Sequence, residues 1–191
     1  MPHEKRYYMA CLDLEGRDVL VVGGGPVAVE KVEGLLTCEA RITVVAPEIA
    51  PELKRPGVVL RRRRYRADDL DGHFLVVAAT STTAVNRRVF ADAEARGMLC
   101  NVVDVPELCS FILPAVHRVD PIAVAISTGG ASPALAQRLR DDIAEVVRPE
   151  HAMLARRLRR CRPGAAARGR GTRPRSRSRP RSGRCGARRG G

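Results

Sequence analysis

Three consecutive glycines, Gly23, Gly24 and Gly25, stand between the apolar run Val19 to Val22 and a segment apolar at Val27, Val29, Val32, Leu35 and Leu36. The first run reads as a strand over 17–23 and the second, by its spacing, as a helix over 26–37. Few structures tolerate such a junction. Written out, Val22-Gly23-Gly24-Gly25-Pro26-Val27-Ala28 is a G-x-G-x-x-A turn. Gly23 would permit a tight turn, Gly25 would let the backbone approach a pyrophosphate, and the small Ala28 would let helix and sheet pack closely. A helix beginning there points its free amides at whatever occupies the turn, which favours an anion. A tight turn with no ligand is the plainer reading of the same residues.

Downstream, the chain keeps alternating short apolar runs with helical spacing. Strands are predicted at 41–46, 58–60, 73–79 and 98–103, and a helix at 86–96. The runs lack polar–apolar alternation, as expected for strands buried on both faces, so the fold class is α/β with a parallel sheet covered by helices. From Phe111 the rhythm changes. Pro114 and Pro121 bracket a short extended piece, 122–127 reads as another strand, and Thr128-Gly129-Gly130-Ala131-Ser132-Pro133 leads into a helix. Ser132 suits the N-cap of that helix and Pro133 its first position. The division expected is 1–112, a nucleotide-binding unit; 113–148, a small α+β region; and 149–191, a basic low-complexity tail.

Charge follows the same division. The net +13 invites a nucleic-acid reading, but residues 149–191 hold 15 arginines against one acid, Glu150. The preceding 148 residues carry 19 basic and 20 acidic side chains, so the folded part is neutral and nucleic acid is not its expected partner. His151 to Arg162 could extend a helix. The tail beyond Pro163 is Arg, Gly, Ala, Pro and Ser without apolar periodicity, a composition expected to be disordered. With 31 Arg against 3 Lys in the chain, that tail reads either as a frameshifted reading of a GC-rich gene or as a basic extension that binds nucleic acid nonspecifically.

No signal-peptide pattern opens the chain and no apolar run approaches a membrane span, so a cytoplasmic protein without a membrane partner is expected. The six cysteines, Cys11, Cys38, Cys100, Cys109, Cys161 and Cys185, include no C-x-x-C pair, which points to neither a zinc site nor a disulfide framework. Cys109 reads as a small buried hydrophobe. Aromatics make up only 3% of the chain, leaving the packing to Val, Leu and Ala.

Two further stretches bear on chemistry. The second strand ends Val45-Ala46-Pro47-Glu48, with an acid near the usual ribose position and no Arg for a 2′-phosphate, which favours NAD over NADP. Glu48 is read equally as a solvated surface acid. Asp104, in Asn101-Val102-Val103-Asp104-Val105-Pro106, falls at the carboxyl end of the fifth strand, where open parallel sheets bind ligands. It is either a general base or a turn-forming Asp. Ser127, Thr128, Gly129 and Gly130 offer hydroxyls and backbone amides to substrate carboxylates, or simply cap the next helix. Arg61 to Arg64 with Arg66 form a solvated edge strand or a patch for an anion. The four histidines show no metal-ligand spacing, so no metal site is expected.

Together, CLDLEGRDVLVVGGGPVAVEKVEGLL with its Lys31, ITVVAPE, LVVAATSTTAVN with Thr80 and Asn86, NVVDVPELCSFILPA and VAISTGGASPALAQRLR resemble the precorrin-2 dehydrogenase and sirohydrochlorin ferrochelatase family, over about residues 7–148. The resemblance implies a Rossmann-like domain and NAD-dependent oxidation of precorrin-2, a tetrapyrrole with eight carboxylates, to sirohydrochlorin in sirohaem biosynthesis. It implies a homodimer contact in 113–148 and, in some members, ferrous iron as a further substrate. It places the cofactor on Gly23, Gly24, Gly25, Pro26, Val27, Ala46, Pro47, Glu48 and Thr80. The catalytic aspartate falls on Asp104 and a substrate-facing serine on Ser127, beside Thr128, Gly129 and Gly130, the other candidate substrate contacts. Val105 departs from the second acid that many members carry, and the expected C-terminal helices give way to the Arg-rich tail. The other readings are a regulatory module that senses NAD without chemistry and a basic nucleic-acid adaptor acting through the tail.

Overall fold

The computed structural model describes residues 7–161. Its centre is β1 (Asp18–Val22), flanked on one side by β2 (Arg41–Ala46) and β3 (Val58–Arg62) and on the other by β4 (Leu75–Ala78) and β5 (Leu99–Val102). All five strands run parallel, in the order β3-β2-β1-β4-β5. Helix α1 (Pro26–Leu36) follows β1 and α2 (Thr83–Glu94) follows β4. Val19 and Val21 face one layer with Ala28, Val32 and Leu35 of α1, while Leu20 and Val22 face the other with Val89 and Ala93 of α2. Burial on both sides is why the strand runs are continuously apolar. The fold is Rossmann-like α/β. Strand order reverses between β1 and β4, so a crevice is set at their carboxyl ends.

The expected elements are present, with shifted ends. β4 begins at Leu75 rather than at residue 73, and α2 begins at Thr83, three residues before the apolar spacing starts. Thr82 is extended at the N-cap, and the Asn86 side chain reaches back to donate to the Thr80 carbonyl at 2.9 Å. A polar first turn hides a helix start from apolar periodicity.

The basic run that closes β3 lies on an exposed edge strand, as the solvated-strand reading expects, but two of its arginines also bind a buried acid. Asp69, in a short 3-10 turn at Ala67–Leu70, is only 2% exposed. Its carboxylate accepts from Arg63 Nη1 at 2.8 Å and Nη2 at 2.5 Å, from Arg61 Nη1 at 3.2 Å and from the Arg66 amide at 2.8 Å. Arg61, itself exposed, and the half-buried Arg63 therefore satisfy a buried acid and close the β3–β4 connection, while Arg62 and Arg64 remain exposed.

After β5 comes an antiparallel pair, β6 (Ala115–Val119) and β7 (Ile122–Ile126), then α3 (Pro133–Val146) and α4 (Pro149–Arg160). Ser132 caps α3, accepting from the Leu135 amide at 3.2 Å. His117 meets the Val147 carbonyl at 2.8 Å, and Arg156 donates to the Asp120 carbonyl at 2.8 Å, tying both helices to the pair. The first twelve residues of the stretch read as tail are thus helical. The disorder reading, for residues 163–191, falls outside the described residues, as does most of the 149–191 stretch read as a possible frameshift. Among the described residues no helix is long and apolar enough to cross a membrane.

Burial raises the Asp69 carboxyl's pKa, but the Arg63 guanidinium, the Arg66 amide and Arg61 together outweigh it and hold the acid below its ordinary range. Its contribution is therefore present above the unfolded carboxyl value near ~4 and lost as pH falls through the lower folded value. Asp69→Ala is expected to cost about 2–3 kcal/mol at neutral pH by urea denaturation, and markedly less at strongly acid pH.

Candidate functional site

Backbone hydrogen bonds lace the carboxyl edge of the sheet together. The Gly23 amide donates to Val45 O at 3.0 Å, the Ala79 amide to Val22 O at 2.8 Å and the Val103 amide to Ala78 O at 3.0 Å. The turn itself is pinned by Ala50, whose amide donates to Gly24 O at 2.8 Å. The three glycines differ in what surrounds them. Gly23 has φ of +134°, and a Cβ there would run into the Ala79 carbonyl. A Cβ on Gly24 would run into the Glu48 carbonyl oxygen. At Gly25 a Cβ would meet nothing within 4 Å. The first two glycines are required by the protein's own backbone. The third opens outward.

Gly25 is the N-cap of α1, without a side-chain cap, and Pro26 follows at the first turn. An α-helix leaves its first amides without intrahelical acceptors, so this end suits an anionic group. The open cradle at Gly25 fits a dinucleotide pyrophosphate. Val27 is exposed and Ala28 is fully buried, the small residue that close helix–sheet packing needs. Ala46 is buried, while Pro47 and Glu48 are exposed beside the turn. The Thr80 hydroxyl donates to Asn86 Oδ1 at 2.7 Å and accepts from the Thr82 amide at 3.1 Å. Thr80 thereby shapes the loop that backs Gly23.

Asp104 lies two residues beyond β5, exposed, with no hydrogen-bond or ion-pair partner among the described residues. Its φ is +60°, the left-handed region, which Asp tolerates better than most residues. The Val105 amide closes the turn onto Val102 O at 3.2 Å. The chain then returns alongside β5. Asn101 Nδ2 donates to Phe111 O at 3.0 Å, and Ser110 Oγ clasps the Cys100 amide at 2.8 Å and Cys100 O at 3.2 Å. Sequence reasoning missed these two polar side chains, together with the hydrogen bonds of Cys109. Asn101 was visible only as a polar residue in an apolar strand. Cys109 is 6% exposed as expected, but its thiol is hydrogen-bonded and so is more than a small hydrophobe. Cys100 behaves as core: burial first, then Cys109 and Glu94, push its thiol up to about 12.

The glycine loop after β7 folds onto the Asp104 loop, with a Cβ on Gly130 falling 3.5 Å from Pro106 Cγ. Within it, Ser127 Oγ accepts from the Gly129 amide at 3.1 Å. Thr128 Oγ1 donates to Ser132 O at 3.1 Å and accepts from the Ser132 amide at 3.0 Å. These bonds accord with the capping reading of Thr128 and Gly129. Thr128 and Gly129 are engaged in building the loop, leaving the Gly130 amide and the donor hydrogen of Ser127. A separate groove of about 430 Å³, bordered by Arg17, Asp18, Arg41, His73 and Phe74, lies at the opposite, amino edge. There Arg41 is paired to Asp18 and Arg17 lies over the Phe74 ring, an arrangement that braces the strand starts.

A family model described as "Putative NAD(P)-binding" matches residues 10–115, and one described as "Sirohaem biosynthesis protein central" matches residues 119–145. The siroheme synthase of Ectopseudomonas mendocina is 44% identical over 146 residues, covering 74% of this chain and 31% of its own length. That of Nitrosomonas europaea is 42% identical over 154 residues, covering 78% and 32%. The chain thus spans about a third of the length of these curated relatives. A solved structure titled "SirC, precorrin-2 dehydrogenase" superposes with a TM-score of 0.71 at 33% identity, covering 81% of this chain and 78% of that one.

The contrast among the glycines is testable by stability alone. Gly23→Ala and Gly24→Ala are each expected to lose at least about 1–3 kcal/mol, because backbone must move or strain. Gly25→Ala should stay within about 0.5 kcal/mol of the parent chain in thermal unfolding.

Proposed function

The chain belongs to the NAD(P)-binding family of sirohaem biosynthesis, and from that premise we propose that it oxidises precorrin-2 to sirohydrochlorin with NAD as acceptor. One observation carries the reading: the loop of Gly130 rests on the loop of Asp104, at the same sheet edge where α1 opens its uncapped N-terminus. A dinucleotide and a polycarboxylate ring would there share a carboxylate between them.

The proposed roles follow from the geometry. Gly25, Pro26 and Val27 hold the pyrophosphate against the first turn of α1, with Gly23 and Gly24 shaping the turn. Ala46, Pro47 and Glu48 border the adenosine ribose, where an acid suits the free hydroxyls of NAD. Thr80 fixes the wall behind the turn. NAD, when bound, supplies the acceptor of two electrons and one hydrogen. Asp104 takes the proton that leaves the tetrapyrrole; being exposed and unpaired, its carboxylate is available as a base. Ser127 and the Gly130 amide receive substrate carboxylates. Ferrous iron would enter as a second substrate at the same aspartate.

The active form we propose is a homodimer in the cytoplasm. Between Ala115 and Arg160 only Ala136 and Ala152 are buried, while Val116, Leu135, Leu139, Met153, Leu154 and Leu158 are 40–59% exposed. A second copy would cover these apolar side chains, and sedimentation should report twice the chain mass. The five described cysteines are free thiols, which suits a reducing compartment.

Mixing the chain with precorrin-2 and NAD should convert the pigment spectrum to that of sirohydrochlorin with matching formation of NADH; adding ferrous iron reads chelation in the same cuvette. Tight NAD binding with an unchanged pigment would mean a sensor instead. Asp104→Ala should lower turnover about 100-fold or more, and near-normal activity would remove it from the mechanism. Gly25→Ala should fold normally yet weaken NAD about tenfold, ~1.4 kcal/mol.

A further inference from the structure

We propose that Cys109 is a positioning residue for Asp104, its thiol clipping together the two ends of the turn that carries the carboxylate. The inference rests on the reading of Asp104 as the base.

The sulfur sits at the centre of the turn. It accepts from the Val102 amide at 3.3 Å and from Asn101 Nδ2 at 3.6 Å. It lies 3.1 Å from Val102 O and 3.3 Å from Val105 O, two carbonyls that share its one hydrogen. Val102 and Val105 are the residues where the turn begins and ends, and Asp104 lies between them. The turn's own backbone bond, Val105 N to Val102 O at 3.2 Å, is a single tie. A left-handed φ is disfavoured at a non-glycine residue, so the turn gains from support outside itself.

That support is built from β5 and the irregular segment that returns alongside it. Ser110 fixes the return to Cys100, Asn101 fixes it to Phe111, and Cys109 joins it to the turn. Burial at 6% exposure keeps water from competing for these weak sulfur bonds. Alanine at 109 would keep the fold's packing nearly unchanged in volume. It would leave the Val102 amide and the Val105 carbonyl without the thiol.

The test uses the full chain with Cys109→Ala, Cys109→Ser and Asp104→Ala. Hydrogen exchange in Cys109→Ala should quicken at least about tenfold at the Val102 and Val105 amides relative to parent, with the Gly23 and Ala79 amides unchanged. Serine, which keeps a donor and an acceptor, should restore most of the protection. In turnover, Cys109→Ala should lower kcat by ~10-fold while leaving the KM for NAD within twofold. In the Asp104→Ala background it should cause no further loss, because it acts through that carboxylate. Unchanged exchange at both turn amides, or an added loss in the double variant, overturns the proposal. A parent chain that never oxidises precorrin-2 sinks the functional reading instead, and the exchange result still decides whether the thiol holds the turn.

Discussion

Everything at the carboxyl edge depends on two points where backbone crosses backbone with no room for a side chain. Gly23 presses against the Ala79 carbonyl and Gly24 against that of Glu48, so the β1 turn is wedged between the ends of β2 and β4. The wedge sets where α1 starts, and the start of α1 sets where Gly25 and its neighbouring amides open. Sheet order contributes the rest: with β1 at the centre, the loops after β2, β4 and β5 all rise on one edge. The open turn at Gly25 is therefore a consequence of packing within the protein.

Most of this frame was legible in the residues. The strands are continuous apolar runs because both faces are covered, and Val19 to Val22 show it plainly. Ala28 and Ser132 behaved as their positions implied. What stayed hidden was polar and non-local. Nothing in the spacing of Arg61, Arg63 and Asp69 says that the acid is 2% exposed and the arginines turn inward to it. The Thr128 hydroxyl looks the same in sequence whether it faces substrate or bonds Ser132. Periodicity reports which side of an element is apolar; it does not report which polar atoms find one another across a loop.

The region after β5 obeys a different rule. Its strands alternate between half-buried and exposed residues, and its helices each bury a single alanine. Such a surface is poorly suited to standing alone, yet it delivers the loop of Gly130 to Pro106. A second copy packed there would stiffen the Gly130 loop, so assembly and the substrate binding proposed for that loop would be linked through one short segment.

Two carboxylates show how the chain would divide stability from the chemistry proposed for it. Asp69 is buried and held by three donor residues, which keeps it ionised and makes it a structural fastener. Asp104 is exposed, unpaired and placed in a backbone conformation that a non-glycine residue does not adopt freely. A carboxylate saturated with hydrogen bonds is a poor base, because each donor stabilises the charge that must be neutralised on taking a proton. An acid meant to accept a proton has to be left without side-chain partners and still be held in place, so the restraint must act on its backbone. The Val102–Val105 turn, clasped through Cys109, Asn101 and Ser110, answers that requirement: it positions the carboxylate without touching it.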